Sequence, residues 1–178
     1  FRSLQVIQHL GAMVPPQIGG IAARLSADCL NALVCDLIEE AHETGNHRCG
    51  LVIDLKKCFN LVPRSTLARL MEKLELPAQY VTAHQGMLKG LKRLVEVAGQ
   101  VGSEQDSTCG VPEGCAFSVA AMVALTILAA EVMQNGCNGI DIVMYADNWG
   151  LTATSVEMLV DAISRLERLV TSLGMTIS

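Results

Sequence analysis

The longest apolar stretch in the chain, GCAFSVAAMVALTILAA from Gly114 to Ala130, carries no charged residue and ends at Glu131. It falls short of a comfortable bilayer span, Ala, Ser and Thr dilute it, and no Lys/Arg cluster flanks it, so it predicts a buried helix reaching about Gln134. Elsewhere the apolar positions keep helical time. After Ser155, residues Met158, Leu159, Ala162, Ile163, Leu166, Leu169 and Val170 fall on one face and predict an amphipathic helix. Leu30, Leu33, Val34, Leu37, Ile38 and Ala41 do the same behind Ser26, a residue type that caps helices, and Gly45-Asn46 stops that helix near Thr44. A third pattern is short and β-branched. Cys49 to Leu55 (CGLVIDL) predicts a buried strand, and Ile140 to Tyr145 with Trp149 to Ala153 predicts a hairpin turning through Ala146-Asp147-Asn148.

Proline and glycine supply the punctuation. Pro15-Pro16 and Gly19-Gly20 mark the first 20 or so residues as loop. Pro63 and Ser65 open a helix through Leu74, and Pro77 opens another to about Gly90. Leu94 to Val101 predicts a hairpin around Gly99-Gln100. From Cys49 onward the order is strand, helices, long helix, strand, strand, helix. That is a split βαβ pattern of the α+β class, with helices covering one face of a small antiparallel sheet.

Composition narrows the picture. The 178 residues suit one ordinary domain, and an apolar share of 51% with 17% charged is globular, not disordered. A net charge of −5 argues against a domain built mainly to grip phosphates, but leaves room for an acidic, metal-binding site. Seven cysteines with no CxxC pair and no zinc spacing read as reduced core residues of an intracellular protein. Phe1 to Leu10 lacks the apolar region and cleavage site of a signal peptide, and the absence of an initiating Met suits a fragment.

Two aspartates stand out by position: Asp54 at the end of an apolar strand, and Asp147 in the turn of an apolar hairpin. A carboxylate beside such runs is costly to desolvate unless it is paired or holds a cation. Each alone is also readable as a cap or turn residue, since Asp-Asn suits a hairpin turn. Their neighbourhoods carry more. LVIDLKKCFNLVPR, Leu51 to Arg64, resembles the first catalytic motif of reverse transcriptases, Asp-x-x-Lys-Ala-Phe-Asp followed by Val-Pro. GVPEGCAFS, Gly110 to Ser118, resembles the second, Gly-x-Pro-Gln-Gly-Ser-Pro-Leu-Ser, and YADN, Tyr145 to Asn148, resembles the third, Tyr-x-Asp-Asp. Gln17, Gly19 and Arg24 are similar to a looser fingers pattern, and Leu173-Gly174-Met175 is similar to the start of the fourth palm motif. Group II intron and non-LTR retrotransposon enzymes show this series most closely.

The resemblance implies a right-hand polymerase palm over residues 47–178, truncated before the thumb, with partial fingers over residues 1–46. It implies RNA-directed DNA synthesis by a mobile-element enzyme acting inside the cell, in nucleus or cytoplasm, on an RNA template, a DNA primer and deoxynucleoside triphosphates. Two magnesium ions, with manganese as a substitute, activate the primer 3′-hydroxyl and stabilise the leaving pyrophosphate from about 3.5–4 Å apart in such enzymes. Asp54 and Asp147 would hold them, with the Leu55 carbonyl as an extra ligand and Asn148 as a weak auxiliary. Phe59 matches the aromatic gate that excludes a ribose 2′-hydroxyl, although core packing explains a lone Phe as well. Lys57, Arg24, Gly110, Pro112, Glu113, Gly114 and Tyr145 fall on nucleotide-binding positions, the two glycines admitting close approach of the backbone.

The pattern also departs. Asn148 stands where the third motif has its second Asp, Asn60 where the first motif has an Asp, and Glu113 where the second has a Gln. Cys115-Ala116 replace Ser-Pro, and Gly20 and Ala23 replace the Phe and second Gly of the fingers pattern. These changes remove or move charges that metal chemistry wants. They keep open a catalytically degenerate palm serving as a binding or scaffold module. An RNA-directed RNA polymerase is a nearer alternative, because Asp-Asn occurs at that turn in some viral enzymes, and Phe59 tilts against it. An unrelated ferredoxin-like domain requires the motifs to match by chance.

The chain ends at Ser178, before the Lys expected in the fourth motif and before any thumb. The isolated chain is therefore expected to bind a primer–template duplex weakly. Fluorescence anisotropy across a salt series checks this, and a tight, salt-sensitive complex would contradict it.

Overall fold

The computed structural model describes residues 2–14, 18–19, 27–135, 139–145 and 148–178. In chain order the elements are α1 (Arg2–Met13), β1 (Ile18–Gly19), α2 (Ala27–Thr44), β2 (Cys49–Asp54), α3 (Cys58–Leu61), α4 (Arg64–Lys73) and α5 (Ala78–Lys89). Two short ribbons follow, formed by β3 (Lys92–Arg93) with β6 (Gln105–Asp106) and by β4 (Glu96–Val97) with β5 (Gln100–Val101). The chain closes with α6 (Ala116–Gln134), β7 (Ile140–Tyr145), β8 (Asn148–Ala153) and α7 (Val156–Ser172).

Helix α6 has no polar face to give to solvent, so it must be enclosed. Phe117–Gln134 is long and apolar enough by composition to cross a bilayer, yet Ala121, Leu125, Ala129 and Met133 all lie in the core. Helices α1, α4 and α7 and strand β7 pack around it. Helix α7 presents Leu159, Ala162, Leu166 and Val170 to that core, as the periodicity predicts, and the Ser155 hydroxyl caps it by accepting from Met158 N at 3.3 Å.

The main sheet has the order β1-β7-β8-β2, antiparallel except for the parallel pair β1–β7. Burial alternates along its centre. Ile140, Ile142 and Met144 of β7 and Trp149, Leu151 and Ala153 of β8 are buried, and the residues between them are more exposed. Alternation places them all on one face, against α6 and α7. The long helix, the hairpin and the α+β class thus follow the sequence.

Several expectations are corrected. Residues 2–13 form a helix, not a loop; Val6, Leu10 and Val14 recur at a spacing of four and are all buried. Strand β2 is not buried. It pairs along one edge with β8, Val52 is 77% exposed, and of its residues only Ile53 enters the core. An apolar run reads the same whether its strand is central or at an edge. Helix α2 has the expected bounds, but Ile38 on its apolar face is 60% exposed. It lies across the second face of the sheet, so helices cover both faces, and a cavity of about 420 Å³ opens between Val34, Leu37 and Val52. The ribbon turn sits at Ala98-Gly99, one residue early, where both φ angles are positive as a type I′ turn requires. Of the five cysteines whose burial is described only Cys58 is buried; Cys35 and Cys109 are exposed and Cys49 and Cys115 half-buried, so the cysteines are not all core residues. The expected Ser26 cap lies outside the described residues.

Between α5 and α6 a histidine is enclosed. His84 is 1% exposed, its ring stacks on Phe117 with centroids 6.1 Å apart, and its Nε2 finds no partner among the described residues. Burial first, and the Arg64 charge second, hold its pKa below the ordinary 6.5. The unfolded chain therefore binds a proton that the folded one refuses. The contribution to stability is complete above pH 6.5 and is lost as pH falls below it toward the lowered folded value. Denaturant unfolding at about pH 7.5 and about pH 5.5 should show this loss, and His84→Phe should flatten it.

Candidate active site

Cross-strand pairing assembles the first and third motifs. Asp54 of β2 lies directly opposite Asn148 of β8, and Asn148 lies directly opposite Tyr145 of β7. Opposed residues share a face, so Asp54, Asn148 and Tyr145 form a row across three strands on the side away from the core. All three are exposed. Asp147 precedes Asn148 in the chain and, like Arg24 and Gln17, lies outside the described residues.

The chain leaves Asp54 through a strained corner. Lys57 adopts a left-handed backbone at φ 51°, uncommon for a residue with a side chain, and its carbonyl accepts from Asn60 N at 2.9 Å and Leu61 N at 3.0 Å. Such strain collects at functional sites. Lys57 itself is exposed. The Leu55 carbonyl accepts from Cys58 N at 3.3 Å, leaving one lone pair for any other partner. Leu55 also bridges Ile177, Lys56 N donates to Thr176 O at 3.0 Å, and Ser178 N donates to Asp54 O at 2.9 Å. The segment after Leu173-Gly174-Met175 is thereby drawn alongside Asp54.

Phe59 is half-buried. With Gly19, Val119, Met122, Val123 and Tyr145 it lines a cavity of about 110 Å³. Gate and core packing are therefore compatible roles, since Phe59 packs against the core and also lines the gap beside Tyr145.

The second motif is tied to the first. Gly110 N donates to Val62 O at 2.9 Å and Val111 N donates to Phe59 O at 2.7 Å. Gly110 sits at φ 71°, and a Cβ there would overlap the Asn60 carbonyl and come within 2.6 Å of Phe59 O. Only glycine fits. Gly114, at φ 76°, has open space where a Cβ would lie. Pro112 is half-buried, and Glu113 is exposed and accepts from Asn60 Nδ2 at 3.1 Å.

Arg64 secures the approach to this loop. Its Nε donates to Gly110 O at 2.7 Å and Nη1 to Leu88 O at 2.8 Å and to Ser107 O; Nη2 donates to Ser107 Oγ at 2.7 Å and Cys109 O at 3.2 Å. Burial, then the neighbouring Arg93 charge, lowers its pKa. The motif pattern gives this residue no role. One signal in the sequence points to it: a cation in the first turn of a helix opposes the macrodipole and needs a compensating reason to be there.

The expected metal ligands are oxygens throughout, the donor type magnesium takes. Among the described residues, however, no group of three or more His, Cys, Asp or Glu side chains converges to hold an ion. The Asp54 carboxylate, the Leu55 carbonyl and the Asn148 amide are the described oxygen donors, one charge among them.

A hairpin carrying its polar row beside an edge-strand Asp, backed by two helices and flanked by a glycine-cornered loop, is a polynucleotide polymerase palm. The chain belongs to the reverse transcriptase (RNA-dependent DNA polymerase) family, whose model matches residues 3–178. No curated protein matches it. Among solved structures, a telomerase from Candida albicans in complex with a TWJ fragment of telomeric RNA superposes with a TM-score of 0.76 at 12% identity, over 99% of this chain and 34% of that one. An apo telomerase from Candida tropicalis, truncated from its C-terminal domain, gives 0.68 at 9% identity, over 99% and 38%. The chain thus spans roughly a third of the length of these telomerases. At such identities the likeness speaks for the fold.

Gly110→Ala should destabilise the chain by about 3 kcal/mol or more, because backbone rather than a flexible side chain blocks the new methyl group. Gly114→Ala meets nothing and should cost about 1–2 kcal/mol from its left-handed backbone alone. Denaturant melts of the two variants check this contrast.

Proposed function

We propose that the chain is the palm, with part of the fingers over residues 1–46, of an enzyme that adds deoxynucleotides to a primer 3′-hydroxyl on an RNA template inside the cell. One observation carries the reading: the register that sets Asp54 against Asn148 and Tyr145, beside the loop anchored at Gly110. Motifs 91 residues apart in the chain, from Asp54 to Tyr145, meet there. Family membership supports the chemistry, and the telomeric RNA bound by one structural neighbour is consistent with an RNA template.

In this reading Asp54 and Asp147 hold divalent cations, magnesium or manganese, with the free lone pair of the Leu55 carbonyl alongside. When bound, the ions activate the attacking hydroxyl and stabilise the leaving pyrophosphate. The chain's own residues do the rest. Asn148 adds an oxygen ligand without charge, so the site binds cations more weakly than one with a third carboxylate. Phe59, lining the gap beside Tyr145, would exclude a ribose 2′-hydroxyl. Gly114 offers bare backbone to the nucleotide, and Lys57 and Arg24 offer positive charge to its phosphates. The weak charge count favours one second reading, a degenerate palm retained as a binding module.

Primer extension on an RNA template, with this segment in its full-length context, tests the proposal. Incorporation of deoxynucleotides should fall by about 10³-fold or more in Asp54→Ala and Asp147→Ala. Preference for ribonucleotides would instead indicate an RNA polymerase. Absence of incorporation, with no manganese binding sensitive to Asp54→Ala in a folded protein, would establish the degenerate module.

A further inference from the structure

Helix α2 separates its residues by face. At the helical step Asp28, Asp36, Glu39, Glu40 and Glu43 fall on one side, and Leu33, Val34 and Leu37 fall on the other. All five acids are exposed. The helix thus carries five of the chain's 18 acids and none of its 13 Lys and Arg residues. Thirteen of each sign remain elsewhere, so the whole net charge of −5 resides on this one helix.

Its position gives that charge a consequence. Val52, Val143 and Gly150 alternate with buried residues along β2, β7 and β8, and so share the outward face of the sheet with Asp54, Asn148 and Tyr145. Val34 and Leu37 meet Val52, Val143 and Gly150 around the cavity of about 420 Å³. Asn31 and Val34 line an adjoining cavity of about 320 Å³ with Tyr145 and Asn148. The start of α2 therefore sits beside the polar row, and its acids are turned to the side from which a polyanion would arrive.

The seat is loose. No α2 residue whose burial is described is buried, and Ile38 is 60% exposed. Cavities lie under the helix where a packed helix would place side chains. Among the described residues no ion pair ties it to the sheet. Beyond Thr44 the chain turns at Gly45, φ 66°, with open space where a Cβ would lie, and residues 46–48 are irregular before β2 begins. Elements with few buried apolar contacts open at low free-energy cost, and such a junction can take up the motion.

From this arrangement we infer that α2 is a displaceable acidic lid, seated on the outward face of the sheet when the site is empty and moved off it by a primer–template duplex. The inference rests on the polymerase reading above. Seated, the lid covers Val52 and Val143 and sets five carboxylates against incoming phosphates. Only a ligand that gains enough from the uncovered face displaces it, and affinity is lowered by the share of molecules in the closed form.

The test titrates an RNA–DNA primer–template duplex into the full-length protein by fluorescence anisotropy at fixed salt. Changing the five acids together to amides (Asp28→Asn, Asp36→Asn, Glu39→Gln, Glu40→Gln, Glu43→Gln) should tighten binding about tenfold or more. The same charge change at exposed acids outside α2 (Glu72→Gln, Glu75→Gln, Glu96→Gln, Glu131→Gln, Glu167→Gln) should alter it no more than about twofold, because screening confines the effect to charges beside the duplex. Hydrogen exchange in the wild type reads the displacement itself, and decides alone should the amide variant fail to fold. Amides from Val34 to Thr44 should exchange at least about tenfold faster with duplex bound, since a helix freed from its seat frays. Equal tightening by both sets of changes, α2 exchange that slows or stays constant on binding, or no duplex bound by wild type or variant would each overturn the inference. Binding with accelerated α2 exchange in a protein that extends no primer would remove the polymerase reading and leave the lid standing.

Discussion

An α-helix with no polar face can only exist inside something. Helix α6 spans nineteen residues, Ala116–Gln134, and burial of most of its surface is the condition the rest of the chain satisfies. Helices α1, α4 and α7 and strand β7 each supply one wall. With the helix held by these walls, its first turn is held too. The Gly110–Gly114 loop that feeds it is therefore held at one end by the core, and at the other by Arg64 and the Phe59–Val62 backbone.

The site is assembled by two different means. Sheet register brings Asp54, Asn148 and Tyr145 into a row, and a slip of one residue would turn all of them to the wrong face. Loop tethering brings the second motif to the first, through backbone bonds, an arginine clamp and a glycine that leaves no room for error. The register depends on apolar packing beneath the sheet, with Ile53 opposite Trp149 and Trp149 opposite Met144. The tether depends on polar groups close to solvent. Substitutions in the two parts should consequently fail in different ways, the first through core stability and the second through local geometry.

Much of this is legible in the residues. The long helix, the hairpin and the capped α7 have bounds near those the sequence predicts, since each has a strong local signal: an uncharged run, β-branched runs flanking Asp-Asn, and Ser before an amphipathic stretch. The motif residues Asp54, Phe59, Gly110 and Tyr145 do gather at one end of the sheet. What is not legible depends on distant partners. The exposed edge of β2 follows from which strands pair, and that is absent from CGLVIDL itself. Helix α1 is obscured by the prolines after it, although Val6, Leu10 and Val14 carry its period. The short α3 depends on a left-handed Lys57, a conformation that its residue type disfavours, and Arg64 acts on carbonyls from two separate segments, the end of α5 and residues 107–110. Asp147 and Arg24 lie outside the described residues, so the carboxylate pair itself rests on sequence.

The chain has a single tryptophan, Trp149, next in sequence to Asn148 and 1% exposed. Its indole sits on the inner side of the hairpin whose outer side carries the polar row. Intrinsic fluorescence from this chain is therefore a one-site spectrum, emitted from directly beneath the residues of interest. A buried indole emits at shorter wavelength than a wetted one, so loosening of the hairpin should appear as a red shift without any introduced label. The protein supplies its own optical gauge of whether the two motif strands remain in register.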